Sequence, residues 1–317
     1  MASLRETKDR IGSVRSTLKI TSAMKLVASA KLRKAQKAIE GMRPYERTLA
    51  EILASVGTAE APKRTDGNYF SDRFAEKPIS DPSSATPTHA SAVPSSANLT
   101  GESPAGKTAI VAIASNSSLC GAFNANVIRK ALEAIRACEG EVEVYPLGRK
   151  MAEALRREGY AAPADYNELI GHPSYERSAE LARSLAERFR KGELSGVVLV
   201  YNRFLSASRQ EPVVEQYLPF EQSSSFAGLT GEVPADDYII EPDAEALLAS
   251  LLPQVLMLKF HAAVLDSAAA EQAARTIAMQ TASDNAEELL GELTLEYNKG
   301  RQQKITSEIL DLLGGAQ

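Results

Sequence analysis

The sequence predicts an α/β protein in which a long antiparallel coiled coil of N- and C-terminal helices joins a central Rossmann-like α/β domain. Three observations lead to this fold class: an apolar heptad pattern near the start, alternating strand-like and helical segments in the middle, and an Ala-rich helical pattern at the end. The predicted boundaries divide the 317 residues into a coiled-coil helix at 1–56, a linker or insertion at 57–107, an α/β domain at 108–243 and a second coiled-coil helix at 244–317.

The first helix carries a coiled-coil seam, because nine of twelve positions spaced alternately by three and four residues are apolar. The twelve positions are Leu4, Thr7, Ile11, Val14, Leu18, Thr21, Lys25, Ala28, Leu32, Ala35, Ile39 and Met42. The seam is polar in its middle, at Thr21 and Lys25. An apolar strip of Ile20, Met24 and Val27 lies one residue out of register there. We expect either a stutter in the coil or a contact between this segment and something other than its coil partner.

Charge is distributed unevenly along the chain. Residues 1–47 hold twelve Lys and Arg against four Asp and Glu, whereas the whole chain has a net charge of −5. A basic segment of this kind suits an acidic protein surface, nucleic acid or lipid headgroups. One alternative function is therefore a basic coiled-coil adaptor for nucleic acid or a membrane surface, although residues 1–47 offer no aromatic platform on which bases could stack.

The middle of the chain is predicted to hold a linker and then the α/β domain. Residues 57–107 are rich in Pro, Ser, Ala and Thr, a composition that indicates a linker or a mobile insertion. Buried strands are predicted at 108–115, 141–147 and 196–204, an edge strand at 210–220, and amphipathic helices at 124–140, 149–159 and 175–192. This alternation predicts a mostly parallel sheet that is covered by helices.

The last segment is predicted to be a second long helix. Ten of the 25 residues from Ala262 to Ala286 are Ala, and small side chains allow two helix axes to approach closely. The predicted seam follows Ala262, Leu265, Ala269, Ala273, Ile277, Leu290, Leu293, Tyr297, Ile305, Ile309 and Leu312. A helix of about seventy residues extends about 100 Å, far beyond the diameter of the domain. Both terminal helices must therefore project, and we expect them to pair antiparallel.

Several classes of function have no support in the sequence. The two Cys and three His show neither metal-ligand spacing nor a disulfide pattern. The first residues lack the apolar run of a secretory signal, and no stretch is long and apolar enough to span a membrane. No Ser/His/Asp, Cys/His or paired-carboxylate arrangement indicates a catalytic centre. We therefore predict no catalytic, metal-ligating or cofactor-binding residue.

One motif points to nucleotide binding. The residues Gly101, Gly106, Lys107 and Thr108 match the G-x-x-x-x-G-K-[ST] pattern of a phosphate-binding P-loop. A P-loop follows a strand and opens a helix, whereas this motif follows the Pro- and Ser-rich segment and precedes a strand. We interpret the match as a chance one and keep a P-loop NTPase as a second alternative function.

The loop at 115–126 follows the first predicted strand, which is a common place for ligand binding in α/β domains. It lacks both Gly-x-Gly spacing and a basic residue. We therefore interpret it as a strand–helix turn in which Asn124 or Asn126 caps the following helix.

The two ends of the chain also carry specific motifs. Residues 10–36 contain KITSAMKLVA, and residues 271–316 contain AARTIAM and YNKGRQQKITSEI. In this order, these motifs resemble the terminal helices of the γ subunits of F-type ATP synthases. The motif SLCGAFN after the first strand resembles the corresponding loop of that family. The remainder of the middle segment resembles the family in layout more than in motif.

This resemblance implies a non-catalytic rotor that couples ion-driven rotation of a membrane c-ring to ATP synthesis or hydrolysis on a hexamer of α and β subunits. The helix pair corresponds to the shaft inside the hexamer, and the α/β domain to the foot that meets the ε subunit and the c-ring. The resemblance further implies a peripheral position on the cytoplasmic face of the bacterial inner membrane, without a membrane span and without a nucleic-acid partner.

The resemblance also implies which residues contact the α/β hexamer: Met24, Lys25, Arg301, Gln302, Thr306 and Glu308. Met24 corresponds to the family's methionine near the β lever. Arg301 and Gln302 match an Arg-Gln pair of the family that touches a loop of β. Thr306 and Glu308 fall in the same segment.

The sequence departs from the family pattern at several of these places. Ser117 and Ser118 stand where members of the family often have an Asp-Arg pair, so a basic contact with β is missing from this loop. Leu26 replaces a frequent Met. Gly300 lies next to Arg301, where a glycine inside a helix costs up to about 1 kcal/mol.

Overall fold

The computed structural model describes residues 4–59, 106–138, 140–220 and 244–314, so most of the predicted linker lies outside the described residues. The elements in chain order are α1 (Leu4–Ala59), β1 (Lys107–Ile113), α2 (Phe123–Ala137), β2 (Val142–Leu147), α3 (Arg149–Arg157), α4 (Asn167–Gly171), α5 (Tyr175–Arg190), β3 (Leu194–Phe204), β4 (Gln210–Leu218) and α6 (Ala244–Gly314). The strands and amphipathic helices that the sequence predicts are all present. The short helix α4 was not predicted.

The two long helices pack against each other along most of α1. Lys25 lies opposite Gln280, where its Nζ donates to the side-chain oxygen at 2.7 Å. Near the start of α1, Leu4 lies against Gly300. Residues early in α1 therefore meet residues late in α6, and the predicted antiparallel coiled coil is confirmed.

The seam that the sequence predicts for α1 is correct in full. All twelve seam positions are buried or half-buried, including the polar positions Thr21 and Lys25. Thr21 stays in the seam because its hydroxyl oxygen accepts a hydrogen bond of 2.8 Å from the hydroxyl of Ser283, a residue that is also buried. The heptad pattern continues without a stutter, and the polar side chains are satisfied across the interface.

The predicted seam of α6 needs correction in two places. Ile277 is 42% exposed, whereas Met279 and Ser283 are buried. In this Ala-rich stretch, apolar residues occur on every side of the helix, so periodicity alone does not identify the face that meets α1. Ile305 and Ile309 are also exposed because they lie beyond Gly300, where the described part of α1 begins. The side chain of Leu312 lies outside the described residues.

The central sheet has four strands in the order β2-β1-β3-β4. β1 pairs in parallel with β2 and with β3, while β4 runs antiparallel to β3 at one edge. The predicted mostly parallel sheet with an edge strand is therefore confirmed. Buried residues of β1 point to both faces, as expected for a strand covered by helices on either side.

Helices cover the two faces of the sheet. On one face, Ile110 and Val198 pack with residues of α2 and α3. On the other face, Val111 and Leu199 pack with residues of α5 and with the first third of α6, including Phe260. The helix α6 therefore contributes to the domain core before it continues into the coiled coil. None of the described helices combines the length and apolarity needed to cross a membrane.

Candidate interaction surface

An apolar strip lies on the outer side of α1. The side chains of Ile20, Met24 and Val27 are 57%, 41% and 57% exposed; we call these three residues the α1 strip. Leu26, nearby on the same helix, is 68% exposed. Single exposed apolar residues are ordinary, but three of them spaced by one helical turn form a continuous patch of the kind that marks contact sites. Met24 lies in this patch, and its contact role stays a prediction.

Lys25 differs from Met24 in its surroundings. It is half-buried at the coiled-coil interface, where its Nζ donates to Gln280. The amide nitrogen of Gln280 in turn donates to Asp284 Oδ1 at 2.6 Å. Met24 therefore faces outward, whereas its neighbour Lys25 connects the two helices.

Positive charge surrounds the α1 strip. Lys31 lies one helical turn beyond Val27, and Lys19 lies next to Ile20; both lysines are exposed. Neither lysine forms an ion pair with any residue that the structure describes. A surface with an apolar strip and uncompensated cations fits a partner surface that is apolar in part and otherwise acidic.

The other four predicted contact residues lie on α6 beyond its pairing with α1. Arg301, Gln302, Thr306 and Glu308 are all exposed. Thr306 Oγ1 donates to the carbonyl oxygen of Gln302 at 3.0 Å, and Glu308 lies 3.7 Å from Lys304 Nζ. Local contacts of this kind leave the outer surface of the helix available to a partner.

The six predicted contact residues therefore form two groups rather than one site. Arg301 follows Gln280 by about six helical turns, which places the second group about 30 Å further along the shaft than Lys25. A partner that touches both groups must extend along the helix pair, or two parts of the partner must touch them separately.

The structure adds Arg275 to the candidate residues, a position that sequence analysis did not single out. Its guanidinium donates to the carbonyl oxygen of Ser118 at 2.5 Å, to Ser117 Oγ at 2.9 Å and to Glu271 Oε1 at 2.6 Å. The loop with Ser117 and Ser118, which has no basic residue of its own, thus receives a cation from α6. The sequence feature that could have identified Arg275 is that it is the single charged residue in the Ala-rich motif AARTIAM.

The same loop presents an apolar side chain to solvent. Leu119 is 56% exposed and has a φ of 66°, in the left-handed region that non-glycine residues seldom adopt. Asn124 holds the base of the loop, since its Oδ1 accepts hydrogen bonds from the backbone N–H and hydroxyl of Ser115. The predicted helix cap at Asn124 or Asn126 is wrong, because the N-cap position is Ala122.

The P-loop motif does not form a phosphate site in the residues that are described. Lys107 and Thr108 belong to β1 and do not open a helix. Lys107 Nζ lies 2.7 Å from Glu141, and the hydrogen bond with this carboxylate raises the pKa of Lys107. Gly106 is required for packing, since a Cβ there would lie 2.8 Å from the backbone nitrogen of Ser195. Gly101 lies outside the described residues.

A family model described as ATP synthase matches residues 3–317. Proteins named ATP synthase gamma chain match over 100% of this chain and 99% of their own length. They include those of Bacteroides fragilis at 45% identity, Flavobacterium johnsoniae at 38% and Pelotomaculum thermopropionicum at 35%.

Solved structures share the fold at lower identity. The central stalk and c-ring structure of the Tetrahymena thermophila mitochondrial ATP synthase contains a similar chain with a TM-score of 0.53 and 20% identity, covering 83% of this chain and 99% of that one. A chain in the rotor structure of the Euglena gracilis mitochondrial ATP synthase is similar with a TM-score of 0.57 and 18% identity, covering 95% and 98%. At such identities the likeness concerns the fold.

Proposed function

The chain belongs to the ATP synthase gamma chain family, and on that basis we propose that it is the central-stalk rotor subunit of an F-type ATP synthase. In this role it is a non-catalytic subunit, which couples ion-driven rotation of a membrane c-ring to ATP synthesis or hydrolysis on the α/β hexamer. The complex is associated with a membrane, and we place the chain peripherally on the cytoplasmic face of a bacterial inner membrane.

The helix α6 is the structural feature that supports this proposal most directly. Its 71 residues extend about 105 Å and run from the core of the α/β domain to the tip of the helix pair. A torque applied to the domain therefore reaches the tip through one continuous element. The small residues Ala269 and Ala273 are fully buried in α6, which allows close packing with α1.

The shaft also has two different sides. The outer surface of α1 carries the basic residues around the α1 strip. Between residues 281 and 298, α6 has no Lys or Arg, and its exposed charged residues there are Asp284, Glu287, Glu288, Glu292 and Glu296. A rotating shaft with one basic and one acidic side presents a different surface to each surrounding subunit in turn. Exposed charge pairs contribute only about 0–1 kcal/mol each, so such contacts can guide rotation without preventing it.

We assign the contacts to partners as follows. Met24 and Lys25 contact the α/β hexamer in the middle of the shaft, and Arg301, Gln302, Thr306 and Glu308 contact it near the tip. The α/β domain at 108–243, together with the first turns of α6, forms the foot that meets the ε subunit and the c-ring. The segments 1–56 and 244–317 supply the shaft, and 57–107 is a linker or insertion.

A rotation assay on the assembled complex tests the proposal. The full chain with Arg129→Cys, an exposed position on α2, is combined with α and β subunits in a Cys138→Ser background, because Cys138 is only partly buried. A bead on the new cysteine should turn in one direction with three pauses per revolution when ATP is added. A complex that hydrolyses ATP normally while the bead stays still would contradict the rotor function.

A further inference from the structure

A charged cavity lies where the helix pair meets the sheet. Its volume is about 210 Å³, and it is bordered by α1, β3, β4 and α6. Its charged lining consists of Arg43, Glu46, Arg203, Glu215, Lys259 and Asp266. Three carboxylates and three cations thus share one space, in which Arg43 and Arg203 are exposed and the other four residues are half-buried. Each of the four bordering elements contributes at least one of them.

Glu215 of β4 is the well-partnered carboxylate of this cavity. Lys259 Nζ lies 3.0 Å from Glu215 Oε1, and Tyr201 donates its hydroxyl proton to Oε2 at 2.8 Å. Arg203 donates to the same oxygen at 3.3 Å. Burial alone raises the pKa of Glu215, but these partners outweigh it and hold the pKa below its ordinary value. Glu215 therefore remains charged.

The other two carboxylates are held differently. Neither Glu46 of α1 nor Asp266 of α6 forms a side-chain hydrogen bond or a salt bridge with any residue that the structure describes. Burial raises the pKa of both groups, for Asp266 to about 6. Arg203 and Arg43 oppose this rise at Asp266, while Glu46 and Glu215 add to it. One carboxylate from each shaft helix is thus half-buried without a direct partner among the described residues.

We propose that this cavity is a proton-responsive junction in which uptake of a proton by Asp266 tightens the attachment of the helix pair to the sheet. With Asp266 ionised, the loss of water around its charge is the largest unfavourable contribution at this group. Glu46 and Glu215 add repulsion across the cavity, which Arg203 and Arg43 oppose. With Asp266 neutral, the desolvation cost and the repulsion both end, and Arg43, Arg203 and Lys259 remain opposite Glu46 and Glu215. The junction does not depend on the rotor function, and its failure would leave that proposal intact.

The pH dependence of stability at this junction follows from the difference in the pKa of Asp266 between the folded and unfolded states. The pKa of Asp266 is higher in the folded protein, about 6, than the ordinary value of 3.8. The folded state therefore binds this proton more tightly than the unfolded state does. The contribution of Asp266 to stability rises as the pH falls from above 6 towards 4, and it levels off below the ordinary pKa.

Hydrogen exchange of the full chain between pH 5.5 and 8.0 tests this junction. Exchange rates are divided by the intrinsic rate at each pH, so that only protection is compared. Amides at 39–46 and 259–266 report on the cavity, and amides at 286–297 report on the coiled coil alone. The variant is Asp266→Asn, and the matched control is Glu292→Gln, which removes an exposed charge from the same helix.

We expect protection at 39–46 and 259–266 to increase several-fold from pH 7.5 to pH 5.5 in the wild type and in the control. Asp266→Asn should show the higher protection at every pH. The proposal is overturned if this variant keeps the wild-type pH dependence, or if it loses protection at all pH values. A wild type without a pH response would overturn it as well.

A second variant, Glu46→Gln, tests the arrangement of charges. Because the charge of Glu46 raises the pKa of Asp266, its removal should move the midpoint of the protection change to lower pH. A midpoint that stays in place would show that the two carboxylates do not interact through the cavity, and it would contradict the proposed junction.

Discussion

At the scale of single residues, Arg275 connects parts of the chain that are far apart in sequence. Its side chain is 15% exposed, and that of its partner Glu271 is 10% exposed, so the pair is largely removed from water. Two further hydrogen bonds lead to the loop of Ser117 and Ser118. The loop that presents Leu119 therefore depends on a cation from α6.

We predict that Arg275→Ala lowers the free energy of unfolding by about 2–3 kcal/mol. The change leaves the buried carboxylate of Glu271 without its cation, and breaking a buried pair is far more costly than breaking an exposed one. Urea unfolding of the full chain measures the loss, and hydrogen exchange should show reduced protection in the loop at 116–121.

The control for this prediction is Arg129→Ala, in which the side chain is 72% exposed and pairs with Glu133 along the helix surface. It should change stability by no more than about 0.5 kcal/mol. The double variant Arg275→Ala/Glu271→Ala should recover part of the loss. Equal effects of the two single variants would contradict the assigned role of Arg275.

At the scale of elements, α1 and α6 are matched by a seam that is apolar along most of its length and polar in the middle. Thr21 and Ser283 form a buried hydrogen bond there, and Lys25 binds Gln280 one turn away. A polar pair inside an apolar seam specifies register, because sliding either helix separates the two partners. A shaft that must not slip benefits from such a pair.

We predict that Thr21→Val lowers the free energy of unfolding by about 1 kcal/mol, because it leaves the buried hydroxyl of Ser283 without its partner. The double variant Thr21→Val/Ser283→Ala removes both polar groups and should lie within about 0.5 kcal/mol of the wild type. A double-mutant cycle in urea measures the coupling. Strictly additive effects would mean that the hydrogen bond does not stabilise the helix pair.

The α1 strip gives a prediction about assembly. We predict that Ile20→Ser/Val27→Ser leaves the stability of the isolated chain within about 0.5 kcal/mol, because both side chains are exposed. The same variant should weaken binding of the chain to the α/β hexamer about tenfold, as expected for losing about 1.4 kcal/mol of apolar contact. Titration of labelled chain with hexamer measures the affinity.

The matched control for the strip is Leu205→Ser, since Leu205 is 48% exposed but lies in the turn after β3, away from the shaft. It should change neither stability nor affinity for the hexamer. If both variants bind the hexamer as tightly as the wild type, the α1 strip is not a contact surface.

At the scale of the whole molecule, a charged junction and a shared core attach the shaft to the α/β domain. The helix α6 packs on the sheet through residues such as Phe260 and then continues past Leu4 of α1. Among the described residues, the P-loop motif does not form a phosphate site, since Lys107 lies on the first strand and is paired with Glu141.

We predict that Lys107→Ala leaves ATP turnover of the assembled complex unchanged. The ion pair it removes is exposed, so stability should fall by no more than about 0.5 kcal/mol. Steady-state ATP hydrolysis by the complex provides the measurement, with Glu141→Gln as the partner control. A tenfold loss of ATP turnover in Lys107→Ala, with normal assembly of the complex, would support the P-loop function instead.

Much of this architecture follows from local patterns in the sequence. The alternation of β-branched runs with amphipathic helices determined the α/β domain, and the heptad spacing determined every seam position of α1. The terminal motifs determined the family. The sequence also indicated that Met24 is displaced from the seam, because Ile20, Met24 and Val27 lie one residue out of register with the seam positions around Thr21 and Lys25.

Other features were decided only by the tertiary structure. The face of α6 that meets α1 passes through Met279 and Ser283 and leaves Ile277 exposed, because in an Ala-rich helix the partner, and not the periodicity, selects the buried face. The hydrogen bond from Arg275 to Ser118 joins residues that are 157 positions apart along the chain, and the cavity around Asp266 brings together residues of α1, β3, β4 and α6. Local sequence patterns report on neighbours within a few turns, whereas burial and pairing of distant charges depend on how complete elements pack.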